Sequence, residues 1–155
     1  MHLFLLRHAD AETHAATDAQ RRLTEKGEEQ AAGVARFCAS NGVKPDVILS
    51  SPILRAQQTA TTVAEKLGID LREADWLACG AEPADVVKKL DEHRKMAAVM
   101  LVGHEPDLGR LVSFLLGTRQ REAIHVRKAS LTALEVLVHR EGGARLDFSI
   151  PVKFM

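Results

Sequence analysis

Two rhythms of apolar and polar residues divide this chain. His2 to Leu6 is short, nearly all apolar and bounded by polar residues, which predicts a buried strand. After it Ala31, Val34, Phe37 and Cys38 recur at helical spacing. Thr24 is placed to cap that helix, Glu25, Glu28 and Glu29 suit its positive end, and Asn41-Gly42 supplies the stop. DVILSS, from Asp46, predicts a second strand. Ser51-Pro52 reads as a cap followed by proline at the first helical position, and Ile53, Ala56, Ala60, Val63, Ala64 and Leu67 form the buried stripe of the next helix.

Farther on, Ile69 to Leu71 reads as a short strand, with Trp76 and Leu77 packed on the core. Pro83 to His93 reads as a helix, and AAVMLVG from Ala97 as another fully apolar strand. Leu108, Leu111, Val112, Leu115 and Leu116 mark an amphipathic helix. Strands near Ser130 to Val138 and Arg145 to Ile150 flank Glu141-Gly142-Gly143 and predict a hairpin. The order predicts one α/β domain over residues 1–155: three layers, a mainly parallel central sheet with helices on both faces, and a late antiparallel hairpin.

Composition narrows the function classes. The 155 residues suffice for one core without staples, and 21 basic side chains balance 21 acidic ones, so the basic excess of a general nucleic-acid or membrane-surface binder is missing. Cys38 and Cys79 lack metal-ligand spacing and read as reduced thiols of a cytosolic protein. Met1 leads straight into the first strand and no apolar stretch reaches membrane-spanning length, which makes a cytoplasmic location the expectation. His2, His14, His93, His125 and His139 have no partner spacing that suggests metal, so neither metal nor cofactor is expected. Arg119, Arg121, Arg127 and Lys128 read as solvated surface, with Lys128 a candidate for the rim of a site.

Parallel sheets place ligands outside the carboxyl ends of their strands. Arg7 and His8 follow the first strand, Arg55 lies just after the second, and His104 follows the strand ending at Val102, so all four belong to one sheet edge. They repel one another unless an anion sits between them, and a phosphoryl group suits arginine forks and the helix amino-termini near Ser51 and Asp107. There is no serine-histidine-acid pattern, no cysteine in a phosphate loop and no Walker glycine run, which leaves histidine as the candidate nucleophile.

Arg7-His8-Ala9, Leu23-Thr24 with Gly27, Ser50-Ser51-Pro52 with Arg55-Ala56 and Thr59, and Gly103-His104 resemble, in order, the successive signatures of the histidine phosphatase (phosphoglycerate-mutase-like) superfamily. The small size, the Arg-His-Ala-Asp-Ala run, and Asp18 followed by Arg21 resemble the SixA-type phosphohistidine phosphatases within it. Ala9 stands where most of the superfamily has glycine, which is harmless if φ there is negative.

The resemblance implies that His8 attacks phosphorus, forming a phosphohistidine intermediate that water then hydrolyses. Arg7, Arg55 and His104 would hold the phosphoryl oxygens and stabilise transition-state charge, with Arg21 as a further contact. His8 must be neutral to attack, and Arg7 beside it should lower its pKa. For a proton donor or orienting group Asp18 is the best positional match, with Glu105 and Glu82 behind it. A phosphorylated imidazole leaves readily, so such a substrate makes a strong acid less necessary. The substrate expected is a phosphohistidine-bearing protein, such as a phosphorelay or phosphotransfer protein. A phosphatase for small phosphate esters and a non-catalytic phosphate-binding domain are the alternatives. Mutase activity is least expected, since it needs a phosphoenzyme shielded from water.

Overall fold

A computed structural model describes all 155 residues. Six strands, β1 (His2–Arg7), β2 (Val47–Ser50), β3 (Leu71–Glu73), β4 (Ala98–Gly103), β5 (Leu131–Val136) and β6 (Ala144–Ile150), form one sheet in the order β3-β2-β4-β1-β5-β6. The first four run parallel, β5 runs antiparallel to β1, and β6 pairs antiparallel with β5 at the sheet's edge.

Helices α1 (Glu25–Ser40), α2 (Leu54–Leu67), α3 (Pro83–Asp91) and α4 (Asp107–Leu116) cover the two faces. Strand alternation decides which face each side chain joins. Phe4, Leu6, Ile48, Met100 and Val102 pack with Ala31, Val34, Ala56, Ala60 and Val63 of α1 and α2. Leu3, Leu5, Leu49, Val99 and Leu101 pack with Val86 and Leu90 of α3 and Leu111 and Leu115 of α4. This is the three-layer α/β architecture expected, with Trp76 and Leu77 packed on the second cluster. No helix is long and apolar enough to cross a membrane.

Several boundaries differ from expectation. β3 begins at Leu71 instead of Ile69, and α3 stops at Asp91, two residues before His93. α2 starts at Leu54 and its N-cap, Ile53, offers no side-chain bond, so Ser51 is not the cap. Thr24 does cap α1, accepting from the Gly27 amide at 3.0 Å, and Gly42 ends it with φ of 70°.

Register brings the site together. Arg7 aligns with Gly103 and Ser50 with Val102, so β1, β2 and β4 end level. The ladder continues one step past them: the His8 amide donates to Gly103 O and the Ser51 amide to Val102 O, each at 3.0 Å. His8, Ser51 and His104 therefore emerge side by side at the carboxyl edge.

The segment after β1 is locked onto the start of α1. Asp10 O accepts from the Thr24 amide at 3.1 Å, and the Asp10 amide donates to Gln30 Oε1 at 2.9 Å. A Cβ on Gly27 would lie 1.9 Å from Asp10 O, whereas one on Gly33 would make only ordinary contacts, the nearest at 3.7 Å to Val152. Gly27→Ala should therefore cost about 2–3 kcal/mol by overpacking. Gly33→Ala should gain up to ~1 kcal/mol from helix propensity. Urea unfolding of both variants checks this, and a neutral Gly27→Ala would refute the close contact.

Candidate active site

His8 is 6% exposed, Arg55 5% and His104 2%, a degree of burial rare for such side chains unless each is partnered. The protons on His8 follow from its neighbours. Nδ1 lies 2.8 Å from Ala9 O, which can only accept, so Nδ1 carries the hydrogen. Arg55 Nε lies 3.3 Å from His8 Nε2 and can only donate, so Nε2 carries a lone pair. The ring is neutral, and its basic nitrogen faces an arginine.

Burial is the main reason the His8 pKa is pushed down to about 3; the Ala9 carbonyl opposes the shift, and His104, Arg55 and Arg7 add to it. The expected direction is right, but Arg7 is a minor cause.

His104 approaches His8 with ring centroids 5.2 Å apart, and its pKa is lowered to about 4 by burial, then by Arg55, against an opposing pull from Asp18. Its Nε2 lies 2.7 Å from Ser51 Oγ, which also accepts from the Ile53 amide at 3.3 Å. If Ser51 donates to Nε2, the ring proton sits on Nδ1. That nitrogen is buried without a hydrogen-bond partner, as is Arg7 Nε. Leaving a buried donor unpaired costs about 1–3 kcal/mol, and both belong to residues predicted to hold an anion.

Arg55 joins the bottom of the site to its rim. Besides His8, it donates through Nη1 to Asp18 O at 2.8 Å and through Nη2 to Asp18 Oδ2 at 3.0 Å. Arg21 Nη1 holds the other carboxylate oxygen at 2.8 Å, and its Nε donates to Glu12 O. These two arginines keep the Asp18 carboxyl below the usual carboxylate range, which suits an anion and not a proton donor at neutral pH.

Glu105 does not face the histidines as an acid. Its Oε2 accepts from the Gly109 amide at 2.9 Å and its Oε1 from the Val126 amide at 2.8 Å. Val126 O in turn accepts from Arg7 Nη1 at 3.0 Å, so Glu105 and Arg7 are tied to the same residue, Val126. Glu82 lies elsewhere, paired with Arg121 at 2.9 Å, and lines a hollow with Arg110, Phe114 and Thr118.

Lys128 reaches Asp10 Oδ1 at 2.7 Å and ties the entry to β5 to the segment after His8. Ala129, between them, is the one non-glycine residue with positive φ (53°), and its amide faces Arg7 O at 3.1 Å and His8 O at 3.2 Å. Ala9 thus has ordinary backbone, and its amide donates to Thr59 Oγ1 at 3.1 Å. The sequence pointed to Ser51 and Thr59 as signature residues without giving either a partner. The carbonyl of Val126 has no signature at all.

The geometry provides a neutral, buried imidazole whose lone pair faces the Arg55 Nε–H, with the His104 ring beside it. That arrangement is suited to in-line attack on phosphorus, with the negative oxygens held by donors that need no reorganisation.

Comparison with known proteins agrees. The family model of the histidine phosphatase superfamily (branch 1) matches residues 3–78. An uncharacterised protein of Picosynechococcus sp. strain PCC 7002 is 33% identical over 152 residues, covering 95% of this chain and 89% of the relative. The phosphohistidine phosphatase SixA of Escherichia coli K12 is 29% identical over 119 residues, 74% of each chain. The solved structure of the protein histidine phosphatase SixA complexed with tungstate shares the fold, with a TM-score of 0.87 over 99% of both chains at 24% identity. The arginine-histidine pair that ends β1 is thus set in a SixA-like chain of the histidine phosphatase superfamily, branch 1, to which this protein belongs.

Proposed function

We propose that this protein is a metal-independent phosphatase that removes the phosphoryl group from phosphohistidine in another protein. The observation that carries the reading is the fixed His8 tautomer, with Nδ1–H on Ala9 O and the Nε2 lone pair beside Arg55. Nε2 attacks phosphorus, the bond from phosphorus to the substrate imidazole breaks, and that imidazole keeps the bonding electron pair. The phosphoryl group then resides on Nε2 while Nδ1–H stays on Ala9 O, until water attacks phosphorus, the phosphorus–Nε2 bond breaks with its electron pair returning to Nε2, and inorganic phosphate leaves. Arg7, Arg55 and the Nδ1–H of His104 hold the oxygens, with Arg21 adding charge from the rim.

A protein substrate is supported by two things. One is the similarity to proteins named as phosphohistidine phosphatases. The other is the short span between α2 and α3, which holds only β3 and a 3-10 turn (Asp75–Leu77) and no large roof. Such an activity fits a single-domain cytoplasmic enzyme acting in a phosphorelay.

Single-turnover assays without added metal should show rapid loss of phosphate from a phosphohistidine-bearing phosphotransfer protein and at least about a hundredfold lower kcat/KM on sugar and nucleotide phosphates. Preference for a small ester would move the assignment to a metabolite phosphatase.

A further inference from the structure

We infer that Asp18 serves the reaction as an anion, pairing with the N–H of a protonated phosphoimidazole leaving group and so selecting phosphoryl groups bound to nitrogen over those bound to oxygen. This rests on the phosphohistidine reading above and adds to it a residue that chooses the leaving group.

The argument starts from direction. In-line displacement places the leaving atom on the far side of phosphorus from the attacking one. The attacking atom, His8 Nε2, is buried, so the leaving ring lies toward solvent. Arg55 spans that same direction: its Nε touches His8 Nε2 and its Nη2 touches Asp18 Oδ2, with the Arg55 side chain 6% exposed and that of Asp18 62%. Asp18 therefore stands at the mouth, on the side where the leaving group departs.

Other nearby acids are already committed. Asp10 is held by Lys128 and Thr24, and Glu105 by the amides of Gly109 and Val126. Asp18 carries one arginine on each oxygen and, being largely exposed, keeps lone pairs free for a third donor.

Leaving-group chemistry then gives the selectivity. A phosphorylated imidazole whose second nitrogen is protonated departs as neutral imidazole when the phosphorus–nitrogen bond breaks: the electron pair goes to the departing nitrogen and the ring proton stays where it was. A carboxylate accepting that N–H favours the protonated, labile form and needs no proton of its own. An ester departs as an alkoxide or phenoxide. A fixed carboxylate beside that oxygen repels the charge it develops, and no proton donor offsets the repulsion.

The test compares wild type, Asp18→Asn and Asp18→Glu in single-turnover consumption of phosphoimidazole and of p-nitrophenyl phosphate. Asp18→Asn keeps the shape and an acceptor for the arginines while removing the charge. The expected result is a fall of about tenfold in the phosphoimidazole-to-ester rate ratio, the size of one charge-assisted hydrogen bond at an exposed site, with Asp18→Glu recovering part of it. A parallel fall on both substrates would make Asp18 merely a prop for Arg55 and overturn the inference while leaving the phosphohistidine reading intact. Wild-type protein that consumes the ester but neither phosphoimidazole nor a phosphohistidine protein would overturn both.

Discussion

Alanine at position 8 should reduce turnover of every phosphorylated substrate to background, a loss of about 10⁴-fold or more. The size follows from the role proposed for His8: with Nε2 gone there is no atom to form the phosphoenzyme, and water must attack a phosphoryl group that the remaining donors merely hold. Arg7, Arg55 and His104 do not depend on His8 for their anchors. Arg7 is fixed by Val126 O, Arg55 by Asp18, and His104 by Ser51. His8→Ala should therefore still bind inorganic phosphate, within a few-fold of wild type by calorimetric titration, and should still unfold cooperatively. Rapid quench of the wild type with labelled substrate should trap an acid-labile, alkali-stable phosphoenzyme that the variant never forms. Residual turnover above a few per cent would place the nucleophile elsewhere.

The residues of this site were legible in the sequence to different degrees, for physical reasons. Arg7 and His8 stood out because an apolar strand ended in them, and strand ends of a parallel sheet are where ligands bind. That His8 and His104 meet depends on β4 lying beside β1, an order that local pattern does not encode. Ser51 before Pro52 is a sound cap signal, and its hydroxyl does accept from the Ile53 amide, but it also meets His104, a tertiary partner that local pattern does not show. β3 slipped by two residues because Leu71-Arg72-Glu73 is an exposed edge strand with little apolar pattern. Glu105 looked like an acid because it follows His104 in the chain. Its partner at Gly109 lies four residues on at the start of α4, but the one at Val126 emerges only once the segment before β5 folds back over α4. The link from Arg7 to Val126 O spans 119 positions and leaves no trace in local sequence. The lowering by Arg7 is readable from the chain, because a neighbouring charge is local; the larger cause, burial, is a product of the whole fold.

Burial of two neutral imidazoles gives the protein a second large response, a loss of stability on mild acidification. His8 and His104 have folded pKa values of about 3 and about 4, against 6.5 for a free histidine. Between those limits the unfolded chain binds protons that the folded chain refuses, so stability rises with pH through this window and is lost as pH falls from 6.5 toward 4. At one kcal-scale increment per pKa unit for each ring, the pair should cost on the order of several kcal/mol by pH 4. The carboxylates act lower down: Asp10 and Asp18, both held below their ordinary value of 3.8 by cationic partners, surrender their contribution only beneath it. Urea midpoints measured from pH 7.5 to 4.5 should therefore fall steadily, and His104→Asn should show a shallower slope than wild type over the same range. Catalysis should behave differently from stability. Because His8 stays neutral in the folded protein, kcat/KM for a substrate that does not itself titrate should hold level down to about pH 5, where the protein is still folded. A rate that falls with an apparent pKa near 6.5, in step with the free imidazole, would mean that the His8 ring is far better solvated than its 6% exposure implies.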